Sequence, residues 1–480
     1  MDKVLRLLGM RYATAALILV AVAALYGAAT FSRPGEASEK GRQAPVTHAL
    51  VVCPGHEEGR LAVQSPSQKG GGRVDVTPTK GGSPLASITT PGQSWDKDTE
   101  SGRDSYTIRA TGALAAGLEA EQTTHWGRGA GRGLAGARCA APGTDLWFLS
   151  PGPVAADELD LYLTNVDAQP ASVDLTALSG EGPLDTVDGR GTPVEPYTTK
   201  IVKIGRSAEG LGDIVKTAAD LAVRVRTTSG RVAASLRARA GEREGIEWLP
   251  RSPGPATSVL VPGVPAGSGE RRLLVGVPGE ADARITVQVI TSGGAFAPQG
   301  QDILDAPAKT VTSVPLDGAL SGKAAAVRLV SDRPILAGFA ATRGADIAYG
   351  AATPPLTAAE PGVVADNRFD SSLVLTAPSG AATVQVITVN AAGRSPARDI
   401  EIPAGRTVET KLTAPGKDAK DDTAYGAVIL PKPGSAPVYA SRTLSKGKGD
   451  GYLFTVLPIV PAPATLHLPG TADSQTALTP

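Results

Sequence analysis

The sequence predicts a mainly β protein, an N-terminal transmembrane helix followed by tandem immunoglobulin-like antiparallel β-sandwich domains. Three observations predict it. Apolar and polar residues alternate with period two in short runs such as Ala222-Val223-Arg224-Val225-Arg226 and Arg284-Ile285-Thr286-Val287-Gln288-Val289. Alternation places one side-chain set on a core face and the other in water. Gly (57) and Pro (39) make up a fifth of the 480 residues, which weakens long helix interiors and supplies turns between the runs. Finally, Val287-Gln288-Val289-Ile290-Thr291 recurs as Val384-Gln385-Val386-Ile387-Thr388, 97 residues later. A period near 100 is the size of one autonomous domain and too long for solenoid or propeller units of about 20–50 residues.

In chain order, the first element is apolar. Lys3, Arg6 and Arg11 precede an uncharged run from Tyr12 to Ser32, and Arg33 ends it. As a helix, 12–32 would span about 31 Å, close to a hydrocarbon core of about 30 Å. The basic flank makes 1–11 a cytoplasmic stub and exports the rest. The expected address is the cell membrane, single-pass, with the bulk extracytoplasmic. Cleavage at Gly27-Ala28-Ala29 would make 12–32 a signal sequence and the product secreted. A buried soluble helix is the third reading. No Cys follows the run until Cys53, which argues against a lipoprotein.

Residues 33–45 read as a polar linker with Pro and Gly. The two cysteines, Cys53 and Cys139, are expected to form a disulfide in an exported chain. Closing that interval would stabilise by about 4 kcal/mol in the chain-entropy account. Two buried thiols are the alternative. A zinc site lacks ligand spacing, since His56 near Cys53 has no counterpart near Cys139.

The segment 46–143 reads as an N-terminal β domain, either a degenerate fourth copy of the repeats downstream or a set of strands completing the first of them. Three repeats run over 144–252, 257–357 and 369–461. Val232-Ala233-Ala234-Ser235 aligns with Ile335-Leu336-Ala337-Gly338 and Val438-Tyr439-Ala440-Ser441, and the units end on Leu249-Pro250, Thr353-Pro354 and Leu457-Pro458. The turn Pro307-Ala308-Lys309-Thr310 has its counterpart in Pro403-Ala404-Gly405-Arg406-Thr407. Short strands with turns every 8–12 residues suit sandwiches. No Cys…Trp…Cys pattern lies inside a repeat, so aliphatic packing must hold each core. Residues 463–480 read as a disordered tail.

The apolar N-terminal segment, Cys53-Pro54, Cys139 ahead of Trp147-Phe148, and the turn at 403–407 resemble a family of exported, membrane-anchored actinobacterial proteins with a large uncharacterised β-rich domain. The resemblance covers nearly the whole chain. It implies no assigned activity and no site residue, only an envelope-polysaccharide setting.

Chemistry is sparse. Lys plus Arg and Asp plus Glu number 47 each, so the whole chain lacks the basic footprint of a nucleic-acid binder. No two of His48, His56, His125 and His467 stand at metal-ligand spacing, and no G-x-S-x-G elbow occurs. Ser94-Trp95-Asp96-Lys97 matches S-x-x-K without its K-T-G or S-D-N partners. Gly131 to Gly136 matches G-x-G-x-x-G, yet no strand precedes it as a dinucleotide site requires. It reads as a flexible Gly/Arg loop in which Arg128 and Arg132 are candidate anion contacts. Asp96, Asp98, Glu100 and Asp104 lack the Gly and Glu of a calcium loop. Asp157-Glu158 with Asp160, and Glu242 with Glu244, read as surface turns. Trp147 and Trp248 are candidate ligand contacts at unit edges, although most such aromatics pack between sheets.

The expected function is therefore a non-enzymatic envelope protein, a scaffold or an adhesion or interaction stalk. Its expected partners are the membrane, through the helix, and cell-wall glycan or other envelope proteins. No nucleic acid, metal or cofactor is expected. A glycan-binding accessory to envelope polysaccharide assembly and an extracytoplasmic hydrolase are the alternatives.

Overall fold

The computed structural model describes residues 2–31, 38, 39, 41–55, 58–100, 102, 104–129, 131–241, 245–391, 393–416 and 422–472. It divides into two compact units. One consists of Met1–Pro45 with Thr465–Pro480, the other of Val46–Ala464.

In the first unit a helix runs over Asp2–Phe31. Tyr12, Leu17, Ile18, Leu19, Val20, Val22, Leu25 and Tyr26 are exposed on it. Among the described residues no helix is long and apolar enough to cross a membrane. The predicted segment 12–32 is thus met by a helix, while the span itself is not shown. Arg42–Pro45 pairs antiparallel with Thr465–Leu468, so the predicted linker and tail meet in a strand pair. Residues 32–37, 40 and 473–480 of those two segments lie outside the described residues.

The second unit is built of antiparallel sheets. In the N-terminal stretch, His48–Cys53 lies beside Tyr106–Gly112, then Gly72–Pro78, then Ala86–Ile88. Across a shared core, Gly133–Arg138 lies beside Glu119–Trp126, then Gly59–Gln64, then Ser94–Thr99. Cys53 and Cys139 are disulfide-bonded within this core.

The same order returns three times. In the first repeat, Asp145–Pro151, Asp220–Ser229 and Ala171–Leu178 face Thr199–Lys203, Glu158–Thr164, Ala233–Arg239 and Ile246–Leu249. In the second, the 19-residue strand Ala325–Arg343 serves both sheets. Its first part pairs with Ala256–Val264 and Ala283–Thr291, its last part with Arg271–Gly276 and Asp346–Ala351. In the third, Gly362–Val364, Gly426–Pro431 and Ala382–Asn390 face Arg406–Leu412, Asp370–Ala377, Tyr439–Lys446 and Leu453–Ile459. Its opening strand thus begins ahead of residue 369.

The strand order is not that of an immunoglobulin constant domain, in which the first two strands share a sheet. Here they lie in opposite sheets all four times. A proline ends or follows the first strand at Pro54, Pro151 and Pro265. It cannot donate to a ladder, so a hairpin return is disfavoured and the chain crosses over.

The four sheet pairs do not form a row. Between the N-terminal stretch and the first repeat, Ser105 Oγ meets Thr199 Oγ1 at 2.8 Å. Between the first and second repeats, Arg272 Nη1 donates to Asp220 Oδ2 at 2.8 Å. Between the second and third, the Thr407 hydroxyl donates to the Ile290 carbonyl at 2.7 Å. The third repeat then returns to the N-terminal stretch. Arg442 Nη2 donates to Glu121 Oε2 at 2.7 Å, 321 residues away in sequence, and both are buried. The ring is closed.

Candidate functional site: the junction of the closing strands

The closing strands of the four stretches are Gly133–Arg138, Ile246–Leu249, Asp346–Ala351 and Leu453–Ile459, and in the first repeat the two-residue strand Arg251–Ser252 follows and pairs with Asp145–Pro151. Each sits at the edge of its sheet. Edge strands carry unpaired N–H and C=O groups and must be covered. These four cover one another, because they read as nearly continuous apolar or small residues instead of alternating. Every residue of Asp346–Ala351 and of Ile246–Leu249 is buried. Ala135 and Ala137 pack with Tyr162, Ile246 and Trp248, while Leu134 packs with Leu444, Leu453 and Leu457.

Glycine sets the spacing. A Cβ on Gly133 would stand 2.7 Å from the Ile246 nitrogen, and one on Gly136 would stand 2.7 Å from Leu457 Cδ1. The glycines of the G-x-G-x-x-G match therefore serve strand packing. Gly133–Arg138 is a strand, with no helix N-terminus to cradle a phosphate.

Two buried carboxylates supply acceptors for the edge amides. Glu247 Oε1 accepts from the Gly136 nitrogen at 3.1 Å and the Trp248 nitrogen at 3.0 Å. Asp346 Oδ2 accepts from the Phe454 nitrogen at 2.7 Å, Oδ1 from the Ile347 nitrogen at 3.1 Å, and the Leu134 amide also donates to this carboxylate. Each acid bridges strands from different stretches. Burial pushes Asp346 up to about 7 against its backbone donors, and lifts Glu247 well above the usual carboxylate range. Glu119 is likewise pushed up to about 7 by burial, with Arg138 at 2.6 Å opposing.

Beside this junction lies a cavity of about 430 Å³, within the range of small-molecule sites. The repeat-ending signatures converge on it, as Leu249-Pro250, Pro354 and Leu457-Pro458 all line it. Phe148 and Trp248 add aromatic surface, and Arg138, Arg251, Ser235, Ser252 and Glu360 supply polar groups. Trp248 is 3% exposed and stacks tilted on Tyr162, with ring centroids 5.1 Å apart.

The other residues singled out in sequence do not gather here. Trp147 is buried on Asp145–Pro151, under the Arg224 guanidinium at 5.0 Å, and does not line the cavity. Arg128 is exposed in the loop before Gly133. Arg132, in the same loop, places its charge near Asp346. Ser94 and Lys97 stand three apart on one strand and so point to opposite faces, which removes the S-x-x-K pairing. Arg60 pairs with both Asp96 and Asp98 and takes the place a cation would need. Glu158 and Asp160 are held by Arg206, Arg237 and Arg239. Glu242, Glu244 and His56 lie outside the described residues. Among the described residues, no group of three or more His, Cys, Asp or Glu could hold a metal ion.

The junction itself escaped sequence reasoning. Its one signal was an acid inside an otherwise apolar run, in Ile246-Glu247-Trp248-Leu249 and Asp346-Ile347-Ala348-Tyr349.

No curated protein matches the chain. Among solved structures, a crystal structure of a tetra-tandem repeat in the extending region of a large adhesion protein is 13% identical, covering 87% of this chain and 100% of that one, with a TM-score of 0.07. A likeness so weak carries no argument. Residues 95–413, two thirds of the chain, match a family of unknown function, DUF5719, and the chain belongs to that family.

Proposed function

We propose that the protein is a non-enzymatic, membrane-anchored scaffold of the cell envelope, with its β-sandwiches grouped into one extracytoplasmic head. The observation that carries the reading is the closed ring. Four stretches spend their edge strands on each other and lock the first to the last through Glu121 and Arg442. Such a body presents many loops from a stiff frame, and it suits a scaffold better than an extended stalk. The disulfide supports an oxidising compartment. The helix Asp2–Phe31, with its basic start and exposed apolar side chains, supports the anchor. The likeness to exported actinobacterial proteins supports an envelope address.

Fractionation with protease protection tests this reading. The full chain should remain in carbonate-washed membranes, and its β body should be cut only by protease added to the outer face. Recovery in the cytosolic fraction with free thiols would refute it. The glycan-accessory reading draws on the cavity beside Trp248. Sedimentation of the chain with isolated cell-wall glycan checks that alternative.

A further inference from the structure

We propose that the cavity at the strand junction binds a single-chain anionic amphiphile, the tail lying along the Pro/Leu wall and the carboxylate or phosphate head resting on Arg251. The walls argue for a tail. Pro250, Pro253, Pro354, Pro458 and Pro461 line the cavity, and proline has no N–H to offer. Along that proline wall a sugar, which needs many hydrogen bonds, would find few. A hydrocarbon chain needs none and gains from leaving water.

The polar groups argue for an anionic head. Trp248 and Ser252 line the cavity, while Trp248 Nε1 and Ser252 Oγ themselves are buried away from its surface, so the head is left to the charged group. Arg251 adds the charge. Among the described residues no carboxylate or other acceptor engages it, whereas neighbouring Arg138 is already held by Glu119 at 2.6 Å. Partial burial and the Arg138 charge draw the Arg251 pKa down, and an arriving anion would offset the Arg138 repulsion. Glu360, the one carboxylate in the lining, sits in an exposed turn and forms no ion pair with Arg251. A charged oxygen bonded to Arg251 would leave its tail facing Leu249, Val456 and Leu457.

The test uses the full chain with dodecanoate, dodecyl phosphate, dodecyl maltoside and inorganic phosphate, each below its micellar concentration. Calorimetry measures affinity and stoichiometry, and a brominated dodecanoate reports approach to Trp248 by quenching. Expected are one site per chain for dodecanoate and dodecyl phosphate, quenching that is lost in Trp248→Phe, and much weaker binding of the maltoside and of phosphate alone. Arg251→Gln should weaken the two anionic amphiphiles about tenfold or more. Ala141→Trp, at an exposed lining position, should block the tail and abolish binding. Both variants keep the N-terminal helix, so binding that survives in both would belong to that helix and overturn the proposal. Maltoside binding as tight as dodecanoate would overturn it as well.

Discussion

Replacing Arg442 with methionine should open the ring. Arg442 is fully buried, and its two terminal nitrogens reach Glu121 Oε2 at 2.7 Å and Asn367 Oδ1 at 3.0 Å. Glu121 Oε2 also accepts from the backbone nitrogens of Ala365 at 2.9 Å and Asp366 at 2.8 Å. Burial pushes the Glu121 carboxyl up, while Arg442 and these amides draw it down. Methionine keeps much of the volume and removes the charge. It leaves an acid without its cation and takes one of two donors from the Asn367 amide oxygen, which keeps the Ser371 hydroxyl. Breaking a buried pair from one side costs about 3–5 kcal/mol. The assay is urea denaturation of the full chain for wild type, Arg442→Met, Glu121→Gln and the double variant. Because the two side chains share one network, the double variant should lose clearly less than the sum of the singles. Limited proteolysis should also cut Arg442→Met sooner between the N-terminal stretch and the third repeat. A loss below about 1 kcal/mol, or strict additivity, would refute the claim that this pair closes the ring.

Acidity should act in the direction set by the buried acids. Folded Asp346 keeps its proton up to about 7, while the unfolded side chain releases it near 3.8. Its contribution is therefore complete at low pH and lost as pH rises through that window, a difference on the order of 4 kcal/mol. Glu119 acts with the same sign. The urea midpoint should fall between about pH 4 and about pH 7, and Asp346→Asn should flatten the profile; a rising midpoint would count against it. Gly133→Ala places a methyl 2.7 Å from the Ile246 nitrogen and should cost about 1–3 kcal/mol in thermal denaturation, while Gly254→Ala, which meets nothing within 4 Å, should cost far less. Reducing Cys53–Cys139, which spans 86 residues, should lower stability by about 2–4 kcal/mol in the same assay run with and without reductant.

The sheets were legible where one face meets water. Ala222 to Arg226 alternates in sequence and lies within the strand Asp220–Ser229, and Arg284 to Val289 lies within Ala283–Thr291. The repeated Val-Gln-Val-Ile-Thr segments occupy equivalent strands of the second and third repeats. The closing strands were not legible, because a strand buried on both faces has no alternation to show. Gly133-Leu134-Ala135-Gly136-Ala137 therefore read as a loose loop, although its small residues are what admits the neighbouring strands. Strand order was equally hidden. Periodicity reports which residues face the core, not which strand lies beside which. Of the two candidate tryptophans, Trp248 reaches the cavity and Trp147 does not. Both are buried unit-edge aromatics, and only the meeting of distant strands distinguishes them.

The ring explains why a repeat of about 100 residues need not yield independent beads. A sheet pair with two protected edges is complete, and its neighbours can attach loosely. Here each copy has one edge strand without a solvated face, so no copy can satisfy that edge alone. Stacking two such edges would still leave the outer face of each exposed. Four copies meeting at one centre cover all of them, provided that the carboxylates of Glu247 and Asp346 take up amides the ladders leave free. The N-terminal stretch is then not an appendage. Its strand Gly133–Arg138 contributes amides to both acids and the glycines that set the approach. The cavity arises from the same arrangement. Pro250, Pro354 and Pro458, at or just past the ends of three closing strands, have no N–H to offer a further strand, and all three line the space beside the junction.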